Sequence, residues 1–188
     1  WNWTPGQEID MWCYYNQADE VELFVNGKSQ GVKRKDLDNL HVAWRVKFEP
    51  GTVKVIARRK DEVIAEKEIR TAGKPAEIRL IPDRSVLAAD GKDLCFVTVE
   101  VLDEEGNLCP NADNLVNFTV RGNGFIAGVD NGNPVSLERF KDKKRKAFYG
   151  KCLVVIQNDG KPGKTELTAT SEGLQQAVVK VSAKDCKL

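Results

Sequence analysis

Apolar and polar residues alternate along most of this chain, and turn residues interrupt the alternation at intervals of about ten positions. The pattern is clearest where Val21, Leu23 and Val25 alternate with Glu20, Glu22 and Phe24, and Asn26-Gly27 follows at once. Period-two patterning that runs into Asn-Gly predicts a β-hairpin, because a type I′ turn needs positive φ at both central residues. Ile9-Met11-Cys13-Tyr15, Val42-Trp44-Val46-Phe48 and Val53-Val55-Ala57 likewise place apolar side chains on one face. Arg45, Lys47, Lys54 and Arg58 fall on the other. Glu49-Pro50-Gly51 fits a tight turn, and Lys60-Asp61-Glu62 joins the fourth strand to a fifth, half-buried one over Val63–Ile69.

Thr71-Ala72-Gly73-Lys74-Pro75 interrupts the pattern, and a new alternation starts at Glu77-Ile78-Arg79-Leu80. The expected division is a first domain over 1–72, a linker over 73–76 and a second domain over 77–188. In the second part strands are expected at Cys95-Val97-Val99-Val101, Val116-Phe118-Val120, Phe125-Ala127-Val129, Phe148–Ile156, Leu167-Ala169 and Ala177-Val179-Val181. About seven short strands at this spacing describe an immunoglobulin-like sandwich. The expected fold class is all-β, as two tandem immunoglobulin-like antiparallel β-sandwich domains. The one helix candidate, Leu137–Ala147, lacks a full apolar stripe, and its run Lys141-Asp142-Lys143-Lys144-Arg145-Lys146 reads as a solvated loop.

Composition narrows the function classes. A net charge of +1 over 188 residues gives no concentrated basic field, which argues against nucleic acid and anionic membranes as partners. No run approaches the roughly 20 apolar residues of a membrane span. The chain opens on Trp1 with neither Met nor a signal peptide, and is read as a fragment. The five cysteines lack metal-type spacing; Cys13, Cys95 and Cys152 read as small buried hydrophobes. An inter-sheet bridge between Cys95 and Cys152 is the alternative.

Several of these segments, in order, carry a resemblance. Trp1-Asn2-Trp3 is similar to an aromatic strand that follows a catalytic barrel. The hairpin at 18–31 and Trp44 through Glu49-Pro50-Gly51-Thr52-Val53-Lys54 continue the likeness, as do Thr71–Leu80 and Asp90-Gly91-Lys92-Asp93-Leu94. Gly128-Val129-Asp130-Asn131-Gly132-Asn133-Pro134 and Arg145-Lys146-Ala147-Phe148-Tyr149-Gly150 complete it. Together they resemble the C-terminal accessory domains of bacterial glycoside hydrolase family 2 β-galactosidases. Cys95 and Cys152 stand where that pattern suggests small apolar residues, and Tyr149 where it often shows Asn. The resemblance implies a parent enzyme that hydrolyses terminal β-galactosides with retention, and a periplasmic or secreted bacterial setting. It also implies a scaffolding role here, with the catalytic barrel of the same polypeptide as partner and a β-galactoside or polysaccharide as a further one.

The residues themselves offer no catalytic pair. Retaining glycosidases use two carboxyl groups about 5 Å apart, which this family projects from strand ends of a (β/α)₈ barrel. Nothing here alternates strand with helix, and the Asn-Glu dipeptide of the family's acid/base is missing. His41, the one histidine, has no triad or zinc partners at useful spacing. Asp130, Asn131 and Asn133 supply oxygens for a calcium site or, more simply, for a backbone turn. The expectation is no catalytic residue, no metal and no cofactor. Aromatic residues carry the remaining candidate site: Trp1, Trp3, Trp12 and Tyr14, for carbohydrate stacking or for a barrel interface. Trp44 shares a face with Val42 and Val46 and is assigned to the core. A carbohydrate-binding module is the alternative function.

Overall fold

In the computed structural model, which describes residues 1–36 and 38–185, the chain divides into two compact units, Trp1–Thr71 and Ala72–Leu188. No helix occurs among the described residues.

The first unit is built from β1 (Glu8–Tyr14), β2 (Glu20–Val25), β3 (Lys28–Lys33), β4 (His41–Lys47), β5 (Thr52–Arg59) and β6 (Glu62–Arg70). β1 and β4 form a two-stranded antiparallel sheet, and the other four form a sheet in the order β3-β2-β5-β6. Asn26 (φ 49°) and Gly27 (φ 75°) both take the left-handed conformation that the hairpin between β2 and β3 demands. Asn26 also ties the turn to its neighbour, its amide donating to Pro50 O and accepting from Thr52 N–H. Val21, Leu23, Val25, Val42, Trp44, Val46, Val53 and Ala57 form the core. Each large side chain fully buried here contributes on the order of 2 kcal/mol. The expected fifth strand forms as β6, but it is not half-buried: all nine of its residues are exposed. The reason is geometric. The two-stranded sheet covers the inner face of the larger sheet only as far as β5.

The second unit contains β7 (Glu77–Pro82), β8 (Val86–Ala88), β9 (Leu94–Leu102), β10 (Leu115–Gly122), β11 (Gly124–Asp130), β12 (Lys144–Lys146), β13 (Lys151–Asn158), β14 (Gly163–Thr170) and β15 (Ala177–Lys184). One sheet runs β12-β10-β14-β15-β8 and the other β11-β13-β9-β7. Val97, Val99, Val116, Val154, Ile156 and Leu167 are almost fully buried at its centre. Within the second unit, Asp103 is buried and accepts from the N–H groups of Gly73, Glu105 and Asn107 and from the Asn107 amide. Burial alone would raise its pKa, but these donors prevail and hold the carboxyl below its ordinary value.

Three sequence expectations need correction here. Phe125 points outward rather than into the core, because the β11–β13 register shifts between Ile126 and Gly128. The extra residue flips the parity of the strand, so Ile126 and Val129 face inward instead. The strand expected over Phe148–Ile156 begins only at Lys151, since Tyr149 (φ 50°) and Gly150 (φ 75°) make a tight turn closed by the Phe148–Lys151 bridge. Cys95 and Cys152 cannot form an inter-sheet bridge. They lie on neighbouring strands of one sheet, where Cys95 is opposite Ile156 and Cys152 opposite Val99. That offset of four residues is about 13 Å along the strand, well beyond disulfide reach. Cys13, Cys95, Cys109 and Cys152 are free thiols, and Cys186 lies outside the described residues. Burial pushes Cys95 up to about 11 and Cys152 to about 12.

Candidate functional site

Strand parity builds the aromatic face of the first unit. Ile9, Met11 and Cys13 of β1 turn inward, so Glu8, Asp10, Trp12 and Tyr14 turn outward. The antiparallel register sets Tyr14 opposite His41 and Trp12 opposite Ala43. Trp12 is 60% and Tyr14 63% exposed. The His41 ring stacks on Trp12 (centroids 4.7 Å apart, 20° between planes) and lies tilted against Tyr14 (5.1 Å, 40°). One imidazole therefore occupies a face of the indole that a sugar ring would need. Further along the same face Arg45 donates in a fork to both oxygens of Asp10, at 2.8 and 2.9 Å. The guanidinium hydrogen bond holds the Asp10 carboxyl below its ordinary range.

The structure separates the four candidate aromatics into two groups. Trp1 packs edge-on against Phe48 (4.8 Å, 77°) and joins the core, while its backbone nitrogen donates to Arg70 O. Phe48 follows the end of β4, whereas His41 begins it, so Trp1 stands roughly 20 Å from the Trp12–His41–Tyr14 group. Trp3 is exposed at 52% near Trp1 in sequence and in no ring contact found among the described residues. His41 is the member of this face that sequence reasoning left aside. The signal for it was the cross-strand register, which no periodicity in β4 alone reveals. Trp44, 4% exposed, is a core residue whose indole N–H donates to Gly31 O.

Carboxyl groups across both units are committed to structure. Glu20 pairs with Arg34, Glu22 with Arg58, and Glu66 with Lys54. Glu100 sits between Arg79 and Lys151, its register partners on either side. Asp10, Glu22, Asp83, Asp90, Glu100 and Asp103 are all held below their ordinary values. A general acid at neutral pH needs the opposite displacement. Among the described residues no group of three or more His, Cys, Asp or Glu side chains could hold a metal ion.

The oxygens of the 130–133 turn are already taken. Arg145, expected in a solvated loop, is 1% exposed. Its guanidinium donates to Asp130 Oδ1 (3.2 Å), Asn131 Oδ1 (3.1 Å) and Glu138 O (3.0 Å), and it lies 5.3 Å from the Phe140 ring. Asp130 also accepts from the N–H groups of Asn131 and Gly132. The charge that a calcium ion would supply comes instead from the protein.

A pair of all-β units agrees with the comparisons with known proteins. The family model described as "Glycoside hydrolase family 2 C-terminal domain 5" matches residues 78–180. The chain belongs to glycoside hydrolase family 2. A second model, a domain of unknown function (DUF4982), matches residues 6–65. The chain is 89% identical over 185 residues to the β-galactosidase BoGH2A of Bacteroides ovatus, covering 98% of this chain and 22% of that protein. It is 31% identical over 144 residues to a β-glucuronidase of Formosa agariphila, covering 72% of this chain and 14% of that one. A solved structure of a family 2 glycosyl hydrolase from Bacteroides cellulosilyticus superposes with a TM-score of 0.89 at 32% identity, covering 98% of this chain and 24% of that chain. This chain thus spans about a fifth of the length of the family 2 proteins it matches, and it corresponds to their non-catalytic C-terminal accessory region.

Proposed function

We propose that the two units scaffold the catalytic (β/α)₈ barrel of a longer, retaining β-galactosidase that releases terminal β-galactosides in the periplasm or outside a bacterial cell. The barrel of the same polypeptide is the partner, and the exposed Trp3, Trp12 and Tyr14 are the residues that face it, whereas Trp1 packs on Phe48. The observation that carries this reading is the likeness to a β-galactosidase at 89% identity over nearly the whole chain. The lowered pKa values of Asp10, Glu22, Asp83, Asp90, Glu100 and Asp103 add to it, since such groups are unsuited to act as a general acid at neutral pH. The test is hydrolysis of an aryl β-galactoside by the 188-residue chain and by its full-length parent. Turnover is expected from the parent and none from the chain. Active-site-dependent turnover by the chain alone overturns the proposal.

A second reading, a carbohydrate-binding module, is favoured by the exposure of Trp12 and Tyr14 and opposed by the His41 ring on the Trp12 face. Titrating β-galactosides and oligosaccharides while following Trp fluorescence separates the two. Saturable quenching that disappears in Trp12→Ala supports binding, whereas a flat response supports scaffolding.

A further inference from the structure

The two units share a strand plan, but the first lacks two of its members. In the second unit β9 is flanked by β13 and by antiparallel β7, and β15 by β14 and by parallel β8. The corresponding strands of the first unit are β1, flanked by β4 alone, and β6, flanked by β5 alone. Their outer edges are unpaired among the described residues. In an antiparallel pair every second residue directs its N–H and C=O away from its partner, so β1 offers a free row of backbone groups. Between the two edges runs a groove of about 440 Å³, floored by Val53, Val55 and Ala57 and walled by Met11, Ile69 and the half-buried Cys13.

Trp1 stands at one mouth of this groove. Its backbone nitrogen bonds Arg70 O at the end of β6, and its ring packs on Phe48, next to the residue that pairs with the first residue of β1. Its indole N–H is buried and has no acceptor among the described residues. β1 therefore begins, and β6 ends, at the mouth where Trp1 lies. The proteins this chain matches are far longer, with 22% and 24% of two of them covered. We propose that an extended segment of the parent polypeptide immediately upstream of Trp1 lies in this groove as an antiparallel strand on the free edge of β1. It takes the place that β7 holds beside β9, and turns every second side chain onto Val53, Val55 and Met11. A chain arriving at Trp1 along the groove runs opposite to β1, which is the sense that β7 has against β9. The inference rests on the reading of this chain as part of a longer enzyme. Its failure leaves the activity comparison between chain and parent untouched.

The native thiol of Cys13 provides the test in the full-length parent. Single cysteines are placed one at a time through the ten residues before Trp1, and disulfides to Cys13 are mapped by peptide mass spectrometry after mild oxidation. Because a disulfide requires Cα atoms about 4.4–6.8 Å apart, the yield should peak at one position and fall at least tenfold at its two immediate neighbours, which face outward. Amide exchange on the unmodified parent is the second readout. All amides of β1 should be protected, including the alternate ones that β4 does not bond, by a hundredfold or more over an open edge. Equal yields at successive positions, no cross-link, a Cys13–Cys13 link between two chains, or an unprotected alternate set on β1 overturns the proposal.

Discussion

Replacing Arg145 with Ala should destabilise the second unit by about 3 kcal/mol. The guanidinium is buried and makes three hydrogen bonds of 3.0–3.2 Å, two of them to side chains of the 130–133 turn and one to the Glu138 carbonyl. Removing a partner from a fully buried ion pair costs about 3–5 kcal/mol. Here the acceptors are only partly enclosed, with the Asp130 side chain 47% and that of Glu138 32% exposed, so water recovers part of the loss. Losing the packed aliphatic stem adds about 1 kcal/mol or more, which places the total near the lower end of that range. For a domain of this size each kcal/mol moves the melting temperature by roughly 3–5 °C, so a drop of about 10 °C is expected. Arg145→Lys keeps the charge but not the planar fork, and should lose about half as much. Calorimetry gives the melting temperatures, and Trp fluorescence marks the transition of the first unit, which holds all four Trp residues. Millimolar calcium should leave the wild-type transitions unmoved. A shift under 2 °C in Arg145→Ala, or a calcium-induced rise in the wild type, would refute this account of the turn.

Four further outcomes follow from the same structure. Glu100, squeezed by burial but hydrogen-bonded by Lys151 and Arg79, ionises below its ordinary value of 4.5. Its contribution is complete above that value and vanishes as pH falls through the lowered one. The stability gap between wild type and Glu100→Gln in urea, about 1–2 kcal/mol at pH 7, should therefore close on acidification; a constant gap would contradict the assignment. Cys95 and Cys152, raised by burial to about 11 and 12, should resist a thiol-specific disulfide reagent at pH 8 and react only when urea unfolds the second unit. Tyr149 adopts φ 50° and is exposed; Tyr149→Asn should stabilise by about 0.5–1 kcal/mol, because Asn enters the left-handed region more readily. Leu23→Ala in the first core should cost about 2–5 kcal/mol and shift only the transition seen by Trp fluorescence.

Much of this architecture was legible in the order of residues. Val21-Leu23-Val25 running into Asn26-Gly27 specified a strand, a turn type and a buried face together, since parity and positive φ are local properties. Trp44 was placed in the core on parity alone. What escaped was non-local. The bulge at Ala127 reversed the parity of Phe125, and a bulge is visible only against the partner strand. β8 and β12 are three residues long, too short to show any period. The exposure of β6 depends on how far the opposite sheet extends, which no residue in Val63–Ile69 encodes. Arg145 looked like one more cation in a basic run until Asp130, Asn131 and Glu138 converged on it. On the aromatic face, Trp12 and Tyr14 were legible as outward residues, but their partner His41 lies on another strand.

The Tyr149 position links sequence resemblance to backbone physics. The family resemblance sets Asn as the expected residue where this chain has Tyr, and the backbone supplies a physical reason for that expectation. Residue 149 occupies a turn that needs positive φ, and Gly150 follows with φ 75° so tightly packed that a Cβ there would meet Cys109 O at 2.3 Å. Gly150 is fixed by space as well as by conformation, whereas the Tyr149 side chain is mostly exposed and touches the neighbouring Phe148 ring (centroids 4.3 Å apart). A bulky residue is thus tolerated at 149 at a modest conformational cost and excluded at 150. The same distinction governs the chain as a whole. Positions fixed by packing, such as Leu23, Val97 and Ile156, hold the two sandwiches together. Trp12 and Tyr14 lie outside those cores, exposed and packed against the His41 ring.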